Sequence, residues 1–376
     1  MGVWVCSLAV CSASQHWVGV GPRVVTWTEG NPADRVRLGV RDPGVYRVSA
    51  AEIAVAAGVP LSVVSAALDT CGLALTCQGQ SVAWTADGDA LFFYGVPTVE
   101  LFAPENVYWL SFRQGVAMGV ADATPDAANT TNQWFLHAES YRTNFLAPYD
   151  ARDRRSGAGT LTNVLNFGEW IPASSTESIR AKTQIVSVPG FSASAVTPVV
   201  ARVSLVSYHD FSTPDNQLCE VWLNGTNCGA TNWSDEQALV FDYVVPQGVV
   251  TSEVAQIKVR NGLTSSVSDF MLLDATLIYP RLYRAAGGAL LCTGGDAQTV
   301  AVDGFATPQL RVWDITVPET PLELVAPVGP ATNGTWEVAF ACGDADARYA
   351  VFDTSEGYFE PSVSGVRDTD WSDPAE

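Results

Sequence analysis

The sequence predicts an all-β, multidomain fold, and three observations carry that prediction. Val, Thr, Phe, Tyr and Trp recur in short runs, 31 Gly and 21 Pro punctuate them, and turn signals separate the runs at close intervals. β-Branched and aromatic residues pack well on a pleated surface, whereas Gly and Pro close the turns between strands. At 376 residues the chain is long enough for two or three separate cores. Hydrophobic residues make up 47% and charged residues 16%, far from the composition of a disordered chain. No apolar run approaches the ~18 residues that a membrane span needs.

Residues 1–22 read as a leader or truncated signal peptide. Residues 1–13 are apolar and Ser12-Ala13-Ser14 offers small residues for cleavage, although no basic segment precedes them. A small β domain is expected over 23–120. Strands at 36–40 and 45–48 flank Asp42-Pro43-Gly44, where Pro presets φ and Gly accepts a positive one. Ser49 and Glu52 form a capping box that starts one short helix, and Gly58-Val59-Pro60 stops it. Residues 73–77 and 81–84 form a hairpin around Gln78-Gly79-Gln80, with further strands at 90–94 and 107–112. Residues 121–133 shift to Ala, Asp, Thr and Asn and read as a linker or exposed loop.

A jelly-roll-like β-sandwich is expected over 134–285, from strands at 185–188, 199–208, 220–223, 239–245, 256–260 and 270–279. Alternation places Val203, Leu205, Val221 and Leu223 on its inward face. Leu223-Asn224-Gly225-Thr226 is a hairpin signal, since Asn-Gly takes both positive φ values of a type I′ turn. A second, smaller β-sandwich is expected over 287–366, from strands at 299–302, 310–315, 335–341 and 349–352. The acidic tail, 367–376, reads as a linker towards a missing downstream domain.

Three stretches share one resemblance. The first is Val36-Arg37-Leu38-Gly39-Val40-Arg41-Asp42-Pro43-Gly44-Val45-Tyr46-Arg47-Val48, followed by Gly88-Asp89-Ala90-Leu91-Phe92-Phe93-Tyr94-Gly95 and Asn106-Val107-Tyr108-Trp109-Leu110. The second runs from Leu272-Leu273-Asp274 into Tyr279-Pro280-Arg281-Leu282-Tyr283-Arg284-Ala285. The third is Val302-Asp303-Gly304-Phe305, then Val312-Trp313-Asp314-Ile315-Thr316-Val317-Pro318-Glu319-Thr320-Pro321. In order and spacing they resemble the region preceding the catalytic domain in secreted gingipain-like cysteine peptidases of the C25 type, over roughly residues 24–370. The resemblance implies bacterial-type export to the exterior or cell surface, and a downstream peptidase domain of the same precursor as partner. It transfers no catalytic residue, because no stretch alternates strand and long helix as the α/β peptidase domain would.

The net charge of −20 excludes nucleic acid and anionic membranes as natural partners. From Ala285 onward 15 acidic residues stand against three Arg, a local net of −12. That acidity serves solubility or calcium, but no fixed-spacing calcium loop is present, so no cofactor is expected. Eight Cys occur without zinc spacing. Cys219 and Cys228 flank the Asn224-Gly225 turn, Cys71 and Cys77 are local to each other, and Cys292 and Cys342 share one unit. Each pair is a candidate disulfide, with buried free thiols as the alternative.

Of His16, His137 and His209, His137 reads as a structural strand residue. His209 and Cys219 can be drawn as a dyad, but a loop separates them and nothing orients the base. No nucleophile elbow or phosphate loop is present, and the 40 acidic residues include no pair marked out for glycoside hydrolysis. Trp222, Asn232 and Trp233, beside the Asn224-Gly225 turn, are candidate sugar contacts, against the commoner use of Trp as a core anchor. Arg154 and Arg155, before Ser156-Gly157-Ala158-Gly159, are a candidate processing site, or a solvated loop paired with the acidic surface. The expected role is a non-catalytic prosegment or accessory region of a secreted gingipain-like peptidase. The alternatives are a carbohydrate- or surface-binding β-sandwich protein and, behind both, a free-standing hydrolase.

Overall fold

A computed structural model describes residues 35–98, 103–126, 131–142, 169–208, 217–234, 238–264, 269–295 and 298–367. The first unit contains β1 (Arg35–Val40), β2 (Gly44–Ser49), α1 (Ala50–Ala57), α2 (Leu61–Asp69), β3 (Ala74–Cys77), β4 (Gln80–Asp87), β5 (Ala90–Gly95), β6 (Asn106–Ser111) and β7 (Val116–Ala117). The order across its sheet is β2-β5-β4-β3-β6-β1, with β7 beside β4. β1 and β2 follow one another around residues 41–43 without pairing, so the Asp42-Pro43-Gly44 turn is a corner of a curled sheet. The Tyr46 hydroxyl holds that corner: it accepts from the backbone N–H of Arg41 (3.2 Å) and Asp42 (3.1 Å) and donates to the Asp42 carbonyl (3.0 Å).

The capping box forms as its residues dictate. Ser49 Oγ accepts from the Glu52 N–H, the Glu52 carboxylate accepts from the Ser49 N–H, and Gly58 closes α1 at φ 69°. The expectation of one helix needs correction, since α2 follows at once after Pro60. Val64 and Leu68, one turn apart, are its buried face. The β-branched pair Val63-Val64 disguises that helix as strand material.

The middle unit comprises β10 (Trp134–Arg142), β11 (Glu169–Pro172), α3 (Glu177–Arg180), β12 (Ala181–Ser187), β13 (Val200–Tyr208), β14 (Gln217–Leu223), β15 (Thr226–Trp233), β16 (Ala238–Val244), β17 (Val254–Asn261) and β18 (Asp269–Leu282). One sheet runs β10-β18-β13-β16 with β11 beside β18, and the facing sheet runs β12-β17-β14-β15. Val203, Leu205, Val221 and Leu223 all lie in the core between them, as alternation required. The hairpin turn is also as expected: Leu223 pairs with Thr226, and Asn224 and Gly225 take φ 46° and 80°.

The last unit holds β19 (Ala289–Thr293), β20 (Thr299–Phe305), β21 (Leu310–Asp314), β22 (Leu322–Val325), β23 (Val328–Pro330), β24 (Trp336–Ala341), β25 (Arg348–Asp353) and β26 (Ser362–Val366). Two strands from the linker-like segment enter it: β8 (Gly119–Asp122) pairs in parallel with β22, and β9 (Thr131–Asn132) in parallel with β20. In return β26 leaves this unit and pairs antiparallel with β1 at the end of the first sheet. A further core forms between the two units. Val45, Phe92, Tyr94 and Met118 from the first meet Trp313, Ile315, Ala350 and Phe352 from the last. Trp313 is fully enclosed, its ring edge-on to Phe352 at 4.9 Å. The first and last units are therefore interlocked by exchanged strands and a shared core.

Candidate functional site

The β14–β15 hairpin carries the aromatic residues singled out in the sequence, and strand alternation decides what they can do. Residues 217, 219, 221 and 223 face the core, so Trp222 points outward. Its ring lies beneath two cations, 4.7 Å from Lys258 Nζ and 5.1 Å from the Arg260 guanidinium carbon. Those cations belong to a charge lattice on the outer face. Glu177 bonds Arg180 (3.0 Å), Lys258 (3.2 Å) and Arg260 (3.6 Å), and Arg260 also pairs with Glu220. Burial opposes ionisation of Glu177, but the Lys258 hydrogen bond and the neighbouring cations prevail and hold its carboxyl below the usual range.

Trp233 pairs with Gln217 and so lies on the opposite face. Its half-buried ring sits 5.5 Å from Phe241 and 5.7 Å from Phe270, packed against the sandwich core. Asn232 is exposed and shares the outer face with Trp222, opposite Leu218. The two Trp therefore form no common platform: one is covered by cations, the other is turned into the sandwich.

None of the six described cysteines is joined in a disulfide. The hairpin register explains the Cys219–Cys228 case. Cys219 opposes Thr231, while Cys228 falls where the register shifts, between Asn227, opposite Trp222, and Gly229, opposite Val221. The Cys228 thiol turns to the Thr226 carbonyl at 3.6 Å, the Cys77 thiol to Asn106 Oδ1 at 3.6 Å, and the Cys342 thiol to the Gly294 carbonyl at 3.8 Å. Burial pushes the Cys219 thiol up to about 12, which leaves it protonated and un-nucleophilic at neutral pH.

His137 lies on β10 with its ring edge-on to Phe135 and Tyr279. Its Nε2 is 3.3 Å from Arg281 Nη1 and 3.2 Å from Glu139 Oε2. Burial, then the adjacent Arg281 charge, hold the imidazole below its usual range. His16, His209, Arg154 and Arg155 lie outside the described residues. Among the described residues no group of three His, Cys, Asp or Glu is placed to hold a metal, and no helix is long and apolar enough to cross a membrane.

The cluster that sequence reasoning missed is centred on Glu105. Its carboxylate accepts from Arg37 (3.1 Å) on β1, Arg41 (3.1 Å) beyond it, and the Ser362 hydroxyl (3.0 Å) on β26. Burial raises the Glu105 pKa, but the Ser362, Arg37 and Arg41 hydrogen bonds outweigh it and leave the carboxyl below its usual range. Gly39 makes room for this clamp, because a Cβ there would collide with the Glu105 carboxylate and the Ser362 hydroxyl. The only sequence signal is the absence of a side chain at residue 39.

No family model matches the chain, and no curated protein matches it. Among solved structures, the dimeric latent PorU from Porphyromonas gingivalis superposes on 90% of this chain with a TM-score of 0.65 at 13% identity. The fold is PorU-like. The chain corresponds to 34% of the PorU chain, about a third of its length. Two further matches are too distant to carry an argument. The ANXUR2 extracellular domain from Arabidopsis thaliana has a TM-score of 0.22 at 9% identity, over 67% of this chain and 79% of its own. A Paenibacillus cycloisomaltooligosaccharide glucanotransferase complexed with cycloisomaltoheptaose has a TM-score of 0.17 at 8% identity, over 50% and 46%.

Proposed function

We propose that this chain is a non-catalytic accessory region of a secreted gingipain-like cysteine peptidase, which folds with, restrains or positions the catalytic domain. The observation that carries the reading is the PorU-like fold over nine-tenths of the chain, in agreement with the three stretches that resemble the pre-catalytic region of C25-type peptidases. The PorU molecule that superposes on this chain is a latent one, which fits a restraining role for a region of this fold. The described thiols add support: burial raises the pKa of each, so none is poised as a nucleophile. The His137 imidazole is engaged by Arg281 and Glu139 and has aromatic rings on its flanks. Incubating the purified chain with peptides carrying Arg or Lys at the cleaved position tests the reading. No hydrolysis is expected. Turnover that disappears in Cys219→Ala or His209→Ala would overturn it.

A further inference from the structure

The outward face of the first sheet changes character along its width. At one end Val45, Phe92 and Tyr94 are covered by the last unit. At the other end β6, β1 and β26 lie side by side, and strand parity sets what they present. Val36, Leu38, Tyr108 and Leu110 fill the core, so Arg35, Arg37, Trp109 and Ser111 face away from it. Arg37 stands between Trp109 on β6 and Ser364 on β26. The Arg35 guanidinium carbon lies 4.5 Å from the centre of the Trp109 ring. These three strands contain no Asp or Glu. Glu105 pairs with Arg37 and Arg41, but it stands at the far end, beside Asn106 and opposite Val40. In a chain of net charge −20 this is a basic surface with an aromatic centre.

The chain itself supplies a matching segment. β26 carries the backbone off this surface at Val366, which pairs with Arg35, and Arg113 follows the neighbouring end of β6. Beyond Arg367 the sequence reads Asp368-Thr369-Asp370-Trp371-Ser372-Asp373-Pro374-Ala375-Glu376, with four carboxylates, one indole and no cation. These nine residues lie outside the described residues. Four extended residues span about 13 Å, and the two strand spacings from β26 over β1 to β6 span about 10 Å. Trp371 is therefore within reach of the Arg35–Trp109 pair. A tethered segment meets its site at an effective concentration on the order of millimolar. A second copy would have to approach against its own net charge of −20.

We propose that residues 368–376 dock across the outward face of β1 and β6. Their carboxylates meet Arg35, Arg37 and Arg113, and Trp371 packs against the Arg35–Trp109 pair. Docking of this kind fixes the direction in which the chain leaves β26. It requires only residues of this chain and does not depend on the accessory-region reading.

The test labels the full chain with 5-fluorotryptophan and follows fluorine NMR, identifying the Trp371 resonance by its loss in Trp371→Phe. A synthetic peptide of residues 367–376, labelled in the same way, marks the undocked position. The wild-type resonance is expected away from that position, and to move to it as salt rises to about 1 M, where charges act over only ~3 Å. Arg35→Gln combined with Arg113→Gln is expected to move it there at low salt. Asp368→Asn combined with Asp370→Asn should do the same while keeping every described residue, so a failure to fold cannot account for its effect. A wild-type resonance at the peptide position, or one that salt and both double variants leave unmoved, would overturn the proposal. A shift that disappears on dilution would overturn it in favour of docking onto a second copy.

Discussion

At the scale of single residues, side chains with clear positional signals do what the sequence implied, and the exceptions have specific causes. Ser49, Glu52 and Gly58 build and stop a helix because their interactions span three or four positions and need no distant partner. Trp222 and Trp233 bracket one hairpin turn, but strand parity assigns them to opposite faces. Trp313 is the residue whose role was least legible. Its cover comes from the first unit, more than 200 positions away, through Phe92 and Tyr94. Trp313→Ala should lower stability by about 3–5 kcal/mol, the usual cost of emptying an aromatic site in a core, and urea unfolding would measure it. His137 supplies a pH dependence. Its imidazole is held below the usual value near 6.5, so the unfolded chain binds this proton more readily than the folded one. The His137 contribution is therefore complete above about pH 6.5 and declines as pH falls through the depressed pKa. Denaturant midpoints from pH 7 to 5 should fall less steeply in His137→Gln, and an equal slope would remove the assignment.

Among elements, local hairpins were legible and long-range strand pairings were not. The Gln78-Gly79 and Asn224-Gly225 turns form where expected, because two positive φ values are encoded in two adjacent residues. β8 and β9 look like a linker since they are two to four residues long, border or lie in a stretch of Ala, Asp, Thr and Asn, and pair in parallel with strands about 170 to 200 positions later. Parallel edge strands carry no turn signal that joins them to their neighbours. β26 is similar: its attachment depends on the β1 ladder and on Glu105, neither visible from its own five residues. Glu105→Ala should leave Arg37 and Arg41 without this carboxylate and loosen the end of β26. We expect a cost of about 1 kcal/mol, because the clamp is partly exposed. Amides at 362–366 should then exchange faster while those of β14 and β15 stay unchanged; uniform acceleration would point to global destabilisation instead.

Over the whole molecule, the all-β class followed from composition and turn spacing, and three cores of sheet packing confirm it, with a fourth joining the first and last units. Interlocking of those two units through β8, β9 and β26 is a property of topology that no window of sequence contains. It makes them a single body to which the middle sandwich is joined by β10 and β18, the latter running on towards Tyr283 in the last core. The proposed role requires a gingipain-like catalytic domain as partner. Sedimentation of this chain with such a domain, combined with turnover of an Arg-containing peptide by the mixture, puts that requirement to the test. A stable complex is expected, with turnover that differs from that of the catalytic domain alone. No association, together with glycan binding by the chain that is lost in Trp233→Ala, would contradict the proposed role.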